Sequence, residues 1–145
     1  MTYKHIIFNA SVLAKFPQTE TFFKTARNSS MGATAYIRSH CALRADMKHA
    51  LELIRRKGIE IIVLSKTPAG AGQVLDALGI PYGRTISSLD EIKDETSDYA
   101  YVTPIVKECG IARAQGVRAV RFVPDSGQNP CDVISLAGYR QLSNL

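Results

Sequence analysis

Small polar and charged side chains follow two strand-like apolar segments of this chain, and their types suit the recognition of an anion. Asn9 and Ser11 come directly after the first segment, and Ser65 and Lys66 come directly after the second. An open parallel sheet places its ligand site at the carboxyl ends of its strands. Amide, hydroxyl and ammonium groups beside helix N-termini, with Lys66 or Lys93 supplying the ammonium group, favour an anion without a metal ion. The alternative is that Asn9 and Ser11 only satisfy backbone groups at a strand end.

The second of these segments is the best-defined element of the sequence. Residues 59–64 form an apolar run with one glutamate, which is typical of a strand covered on both faces. Thr67 is a fitting N-cap, Pro68 suits the first helical position, and Gly79 suits the position that closes a helix. A buried strand that leads into a capped helix is half of a βαβ unit.

The same alternation continues along the chain and predicts a doubly wound parallel α/β sheet. Strands are expected at residues 3–8, 59–64, 84–87, 99–102, 119–123 and 132–134. Helices are expected at residues 19–27, 46–57, 68–78, 104–115 and 135–142, the fourth of them starting at Thr103-Pro104. We predict one domain, 1–145, without a large cap domain but with an insert or flap at about 12–43.

Composition narrows the function classes. The 145 residues carry a formal net charge of +5, which is compatible with an anionic ligand or with nucleic acid. No apolar run reaches the roughly 20 residues that cross a bilayer, and the first residues lack the pattern of a signal peptide. Three isolated cysteines, Cys41, Cys109 and Cys131, are typical of reduced thiols. We therefore predict a cytoplasmic protein with no membrane contact.

Generic motifs are absent from the sequence, but the order of three longer segments is informative. The chain holds no GxGxxG, GxxxxGK[ST] or GxSxG motif, and His40-Cys41 has no partner at zinc-ligand spacing. The informative segments are RADMKHALELIRRKGIEIIVLSKTPAGAGQVLDALGI, YAYVTPIVKECGIARAQGVRAVRFVP and CDVISLAGYRQL. In order and spacing they resemble the haloacid dehalogenase (HAD) superfamily of phosphohydrolases: its second-motif strand and helix, its fourth-motif strand and helix, and its last strand and helix.

The resemblance implies metal-assisted phosphoryl transfer through a covalent aspartyl phosphate, but the residues needed for it are changed. Asn9 stands in place of the nucleophilic aspartate, and Ser11 stands in place of the aspartate that acts as general acid and base. Ser65 retains the hydroxyl of the second motif. The lysine of the third motif corresponds to Lys93, with Lys66 as the competitor.

The fourth motif is changed as well. Pro104 stands in place of its first acid, and Glu108 stands in place of its second. A carboxamide cannot form an acyl phosphate, a serine hydroxyl is too weak an acid for its role, and Mg²⁺ prefers several carboxylate oxygens. The resemblance therefore predicts a HAD-like pseudoenzyme that needs no cofactor. Its function would be binding or regulation, through a phosphate-bearing small molecule or a protein partner.

A first alternative is an altered phosphohydrolase. Glu108 would then hold Mg²⁺ together with acids of the segment 90–98, namely Asp90, Asp94 or Asp98.

A second alternative is a nucleic-acid or protein interaction module. It would use three arginines near the fourth-motif helix: Arg113, Arg118 and Arg121. No aromatic stacking platform accompanies them in the sequence.

Overall fold

The structure, a computed structural model that describes residues 4–44 and 47–130, contains a five-stranded parallel sheet between helices. Its strands are β1 His5–Asn9, β2 Ala14–Lys15, β3 Ala42–Leu43, β4 Glu60–Leu64, β5 Arg84–Ile86, β6 Tyr99–Thr103 and β7 Arg118–Arg121. Its helices are α1 Ala10–Leu13, α2 Glu20–Arg27, α3 Ala33–His40, α4 Met47–Arg56, α5 Pro68–Leu78 and α6 Val106–Ala114. Two 3₁₀ turns, Leu89–Glu91 and Thr96–Asp98, connect β5 to β6. The predicted doubly wound α/β fold without a large cap domain is confirmed.

Some predicted features lie outside the described residues. They are the predicted strand start at residue 3, the predicted helix start at residue 46, and the C-terminal strand 132–134 and helix 135–142 with Cys131.

β1 lies at the centre of the sheet, whose strand order is β5-β4-β1-β6-β7. Ile6 and Phe8 contribute to a core shared with α4 and α5, whereas Ile7 contributes to a second core shared with α6. Successive side chains of a strand point to opposite faces, so a strand covered on both sides reads as a continuous apolar run. The chain passes from β1 to β4 on one side and later to β6 on the other. A crevice therefore opens between β1 and β6 at their carboxyl ends.

The insert between β1 and α4 shares the core of the central strand. Phe23 of α2 and Ile37 of α3 are each 1% exposed and belong to the same apolar cluster as Ile6. β2 and β3 form a short antiparallel ribbon within the insert. The ring of Phe23 would lie 2.4 Å from a Cβ atom at Gly70, so α5 approaches α2 this closely only because residue 70 is glycine.

The sequence does not predict α3. Residues 28–34 have a loop composition, and residues 36–43 show no clear period. In the structure α3 begins after Gly32, whose φ of 90° favours glycine, and no side chain caps the helix. Contacts with α2 and α5, including that of the Phe22 and Tyr36 rings, stabilise a segment that local signals leave undefined.

The two Thr-Pro sequences begin their helices differently. α5 begins directly after Thr67, as predicted, but the Thr67 side chain makes no cap hydrogen bond. The prediction for Thr103-Pro104 is wrong, because Thr103 remains in β6 and α6 begins only at Val106. Pairing with β7 keeps Thr103 extended, since its carbonyl accepts the N–H of Phe122 at 2.9 Å. A residue before proline also disfavours the helical conformation.

Cys41 and Cys109 are free thiols in buried positions, and burial raises the pKa of the Cys41 thiol. Within residues 4–44 and 47–130, every helix is too short or too polar to span a lipid bilayer.

Candidate functional site

Asn9 ends β1 at the crevice, and both ends of its carboxamide are hydrogen-bonded within the protein. The backbone N–H and the hydroxyl of Ser11 donate to Asn9 Oδ1 at 3.1 and 2.9 Å. A backbone N–H can only donate, so the oxygen of the carboxamide must face Ser11 and its NH₂ group must face the other way. There, Asn9 Nδ2 donates to Glu108 Oε1 at 3.0 Å. The residue is only 8% exposed, so these contacts largely satisfy it.

The carboxylate of Glu108 is the centre of hydrogen bonding at this end of the sheet. Besides Asn9, the hydroxyls of Tyr101 and Thr103 donate to Glu108 Oε1, at 2.8 and 2.5 Å. Glu108 lies in the first turn of α6, where the helix dipole favours a negative charge. Burial, and then the contact with Glu108, raises the pKa of Tyr101 above its usual range. The Tyr101 hydroxyl therefore stays protonated and acts as a donor.

Ser65 follows β4 and lies near Asn9, because Asn9 pairs with Leu64 in the neighbouring strand. Ser65 is 2% exposed, and its hydroxyl donates to Gln18 Oε1 at 2.7 Å. The oxygen of the Ser65 hydroxyl also accepts a hydrogen bond from the backbone N–H of Thr67, at 3.1 Å. Because Gln18 belongs to the insert, the Ser65 hydroxyl joins the insert to the start of α5.

The two candidate lysines lie at opposite ends of the sheet. Lys66 is exposed and directly follows Ser65 at the carboxyl end of β4. Lys93 is also exposed, but it precedes Asp94, whose carboxylate accepts the hydroxyl of Tyr99 at the amino end of β6. A five-residue strand spans about 13 Å from first to last Cα. The structure therefore brings Lys66, and not Lys93, to the edge that holds Asn9.

Arg44, which the sequence analysis did not identify, places a guanidinium group beside Ser11. Its Nε donates to the carbonyl of Ser11 at 3.0 Å, and its Nη1 lies 2.6 Å from Asp125 Oδ2. Lys15 Nζ lies 3.3 Å from the same oxygen. Two cations and one carboxylate leave a net positive charge beside Ser11.

Two acids of the segment 90–98 are engaged away from Glu108. Asp94 accepts the Tyr99 hydroxyl at 2.7 and 2.9 Å, and this contact lowers the pKa of Asp94. Asp98 lies 3.8 Å from Lys4 Nζ, at the amino end of β1. Neither carboxylate is positioned to share a ligand with Glu108.

Mg²⁺ fits this arrangement poorly. Asp90 and Glu108 line the same cleft of about 230 Å³ beside α6. However, Glu108 Oε1 already accepts hydrogen bonds from Asn9, Tyr101 and Thr103, and a cation bound at this oxygen would displace them. In the described part of the chain, no three His, Cys, Asp or Glu side chains are grouped to hold a metal ion. The residues present therefore do not fit the metal site that the resemblance implies.

The arginines of the interaction hypothesis largely bind the protein's own backbone. Arg113 donates to the carbonyl of Ala119 at 3.0 Å, and Arg121 donates to the carbonyl of Pro104 at 3.1 Å. Arg118 is exposed at the start of β7. These contacts give the guanidinium groups of Arg113 and Arg121 a structural role.

Sequence reasoning missed Tyr101 and Gln18. Strand alternation carried a signal for the first, because residues two apart in a strand share a face, and this places Tyr101 with Thr103 and near Asn9. Gln18 carries no comparable signal, since it is separated from Ser65 by 47 positions in the sequence.

The fold and the crevice define this chain as a Rossmann-like α/β protein with a polar, hydrogen-bonded cluster at the carboxyl ends of its central strands. A scan against protein-family models and a search of curated proteins found no match to the chain.

Proposed function

We propose that this chain is a HAD-like pseudoenzyme that has lost phosphoryl transfer. In this proposal it serves a binding or regulatory function through a phosphate-bearing small molecule held at the crevice. The observation that carries the proposal is the hydrogen bonding of Asn9, which uses both ends of the side chain that would have to attack phosphorus.

A covalent phosphoryl intermediate needs a free carboxylate oxygen at the end of β1. Asn9 has a single side-chain oxygen, and Ser11 donates two hydrogen bonds to it. The Ser11 hydroxyl is itself the donor in one of these bonds, and a hydroxyl is far too weak an acid for general acid catalysis at neutral pH. Both residues thus support a structural or binding role in place of a chemical one.

The carboxyl ends of β1 and β4 carry positive charge and lie beside a helix N-terminus. Lys66 is exposed beside Ser65, and Arg44 contacts Ser11. α5 has eleven residues, and its first N–H groups are not capped by the Thr67 side chain. The N-terminus of a helix next to a cation is a favourable environment for a phosphate group.

Calorimetric titration with inorganic phosphate tests the ligand. We expect phosphate to bind the wild type, and Lys66→Ala to weaken this binding about tenfold, or about 1.4 kcal/mol. Lys57→Ala is the matched control, because Lys57 is exposed at the other end of β4 and its replacement should leave the affinity unchanged. Absence of heat and of thermal stabilisation with phosphate and with nucleotides would refute the ligand part of the proposal.

A second candidate function is an altered Mg²⁺-dependent phosphohydrolase. It draws support from the cleft that Asp90 and Glu108 share. This candidate requires Mg²⁺-dependent turnover that Glu108→Ala abolishes.

A further inference from the structure

Three neutral donors converge on one oxygen in the crevice. Asn9 Nδ2, the Tyr101 hydroxyl and the Thr103 hydroxyl all donate to Glu108 Oε1, at 3.0, 2.8 and 2.5 Å. The three donor residues are 8%, 1% and 0% exposed. Fixed donors aimed at one point in a buried setting are the arrangement by which proteins stabilise an oxyanion.

The donors are held in place by contacts that do not involve Glu108. Asn9 is oriented by Ser11, whose N–H fixes its oxygen. Thr103 Oγ1 accepts the N–H of Ile105 at 3.2 Å, and Tyr101 lies in the buried core of β6. Asn9 ends β1, while the other two donors belong to β6. The sheet therefore builds the donor site, and α6 supplies the anion that fills it.

We propose that the Asn9, Tyr101 and Thr103 donors form an oxyanion site that the Glu108 carboxylate occupies as an intramolecular competitor of the phosphate ligand. This inference rests on the proposed function, and it adds the regulation of the same site. A phosphoryl oxygen and the Glu108 carboxylate cannot accept the same three hydrogen bonds at once. Two negative charges this close would also repel each other.

The Glu108 side chain has space to leave the donors. It borders the cleft of about 230 Å³, which is also lined by Asp90, Ser88 and Ile111. The Asp90 carboxylate in this cleft accepts a hydrogen bond from Gln115 Nε2 at 3.4 Å. Rotation into this cleft would vacate the donor site without unfolding α6. The affinity of the wild type for phosphate is then reduced by the fraction of molecules in which Glu108 fills the site.

The test compares wild type, Glu108→Ala and Glu108→Gln at constant ionic strength in chloride, formate and phosphate. We expect Glu108→Ala to bind phosphate at least about tenfold more tightly than the wild type does. Its thermal midpoint in chloride should lie below that of the wild type and should recover with formate, which replaces the missing carboxylate. Glu52→Ala removes an exposed glutamate of α4 and is the matched control for net charge. Adding Tyr101→Phe to Glu108→Ala should weaken the phosphate binding gained.

Glu108→Gln keeps the shape of the side chain, so it preserves the test if Glu108→Ala fails to fold. In that case Glu108→Gln alone should bind phosphate more tightly than the wild type. Equal phosphate affinity in the wild type, in Glu108→Gln and in Glu52→Ala would overturn the competitor role and leave the proposed ligand intact. Recovery of Glu108→Ala by formate, with no phosphate binding in any variant, would instead support the oxyanion site and contradict the phosphate ligand.

Discussion

Replacement of Asn9 by aspartate is the sharpest perturbation of the cluster. The change is nearly isosteric, and the two hydrogen bonds from Ser11 keep one oxygen in its present position. The second oxygen then replaces Nδ2, which lies 3.0 Å from Glu108 Oε1. Asn9→Asp therefore turns a hydrogen bond into a contact between two carboxylate oxygens.

The expected cost follows from that distance. Loss of a hydrogen bond to a charged group costs about 1.5–3 kcal/mol. Two unit charges about 3 Å apart repel by roughly 5 kcal/mol at an effective dielectric constant of about 20, before any relaxation. Because Glu108 borders a cleft and can turn away, we expect a loss of about 2–5 kcal/mol in the free energy of unfolding at neutral pH.

The loss should depend on protonation and on Mg²⁺. Two carboxyl groups in one site share a proton, so the pKa of one of them rises in the folded state. The penalty is then absent below the unfolded-state carboxyl pKa, grows as the pH rises through that value, and is complete above the raised pKa. A divalent cation between the two oxygens would also relieve the repulsion, so Mg²⁺ should stabilise Asn9→Asp more than the wild type.

Urea denaturation at neutral and mildly acidic pH, with and without Mg²⁺, measures these effects. A double-mutant cycle with Glu108→Gln provides the control, because a neutral amide at position 108 removes the repulsion and should restore most of the lost stability. An Asn9→Asp variant as stable as the wild type at neutral pH without Mg²⁺, and insensitive to Glu108→Gln, would refute the described contact between Asn9 and Glu108.

Two further predictions test the packing and electrostatics around the sheet. Gly70→Ala should lower the free energy of unfolding by about 1–3 kcal/mol, because the new Cβ would meet the buried ring of Phe23. The matched control is Gly110→Ala, because a Cβ atom at this position of α6 would face open space; this change should raise the free energy of unfolding by about 0.5–1 kcal/mol. Equal effects of the two substitutions in thermal denaturation would contradict the close approach of α2 and α5. Tyr99→Phe should return the lowered pKa of Asp94 toward its ordinary value. The stabilisation from this contact is present above the unfolded-state pKa of Asp94 and is lost as the pH falls through the folded-state value. NMR titration of the carboxyl carbon measures the shift, and an unchanged titration would show that the Tyr99 hydroxyl is not its cause.

The sheet could be predicted from sequence because its signals are local. Residues 59–64 form an unbroken apolar run, and the helix after them is bounded by Pro68 and Gly79, whose φ of 72° closes it. The fold class follows once such units alternate along the chain. The start of α6 could not be predicted in this way, because pairing between β6 and β7 decides whether Thr103 stays extended.

The site was predictable only in part. The positions of Asn9 and Ser65 at strand ends follow from the strand pattern, and the structure brings them to one edge. The partners of these residues could not be predicted, since the hydrogen bond of Ser65 to Gln18 and that of Asn9 to Glu108 join residues 47 and 99 positions apart. Such contacts depend on tertiary packing, which no local pattern encodes.

Hydrolysis of an aryl phosphate tests most directly the proposal that Asn9, which is hydrogen-bonded to Ser11 and Glu108, does not act as a nucleophile. The assay compares folded wild type, Ser65→Ala and Glu108→Ala in the presence of Mg²⁺, with Glu52→Ala as the control for a contaminating phosphatase. We predict no turnover above buffer for the wild type. Turnover by the wild type and Glu52→Ala that is lost in both Ser65→Ala and Glu108→Ala would contradict the account and identify an unorthodox phosphatase.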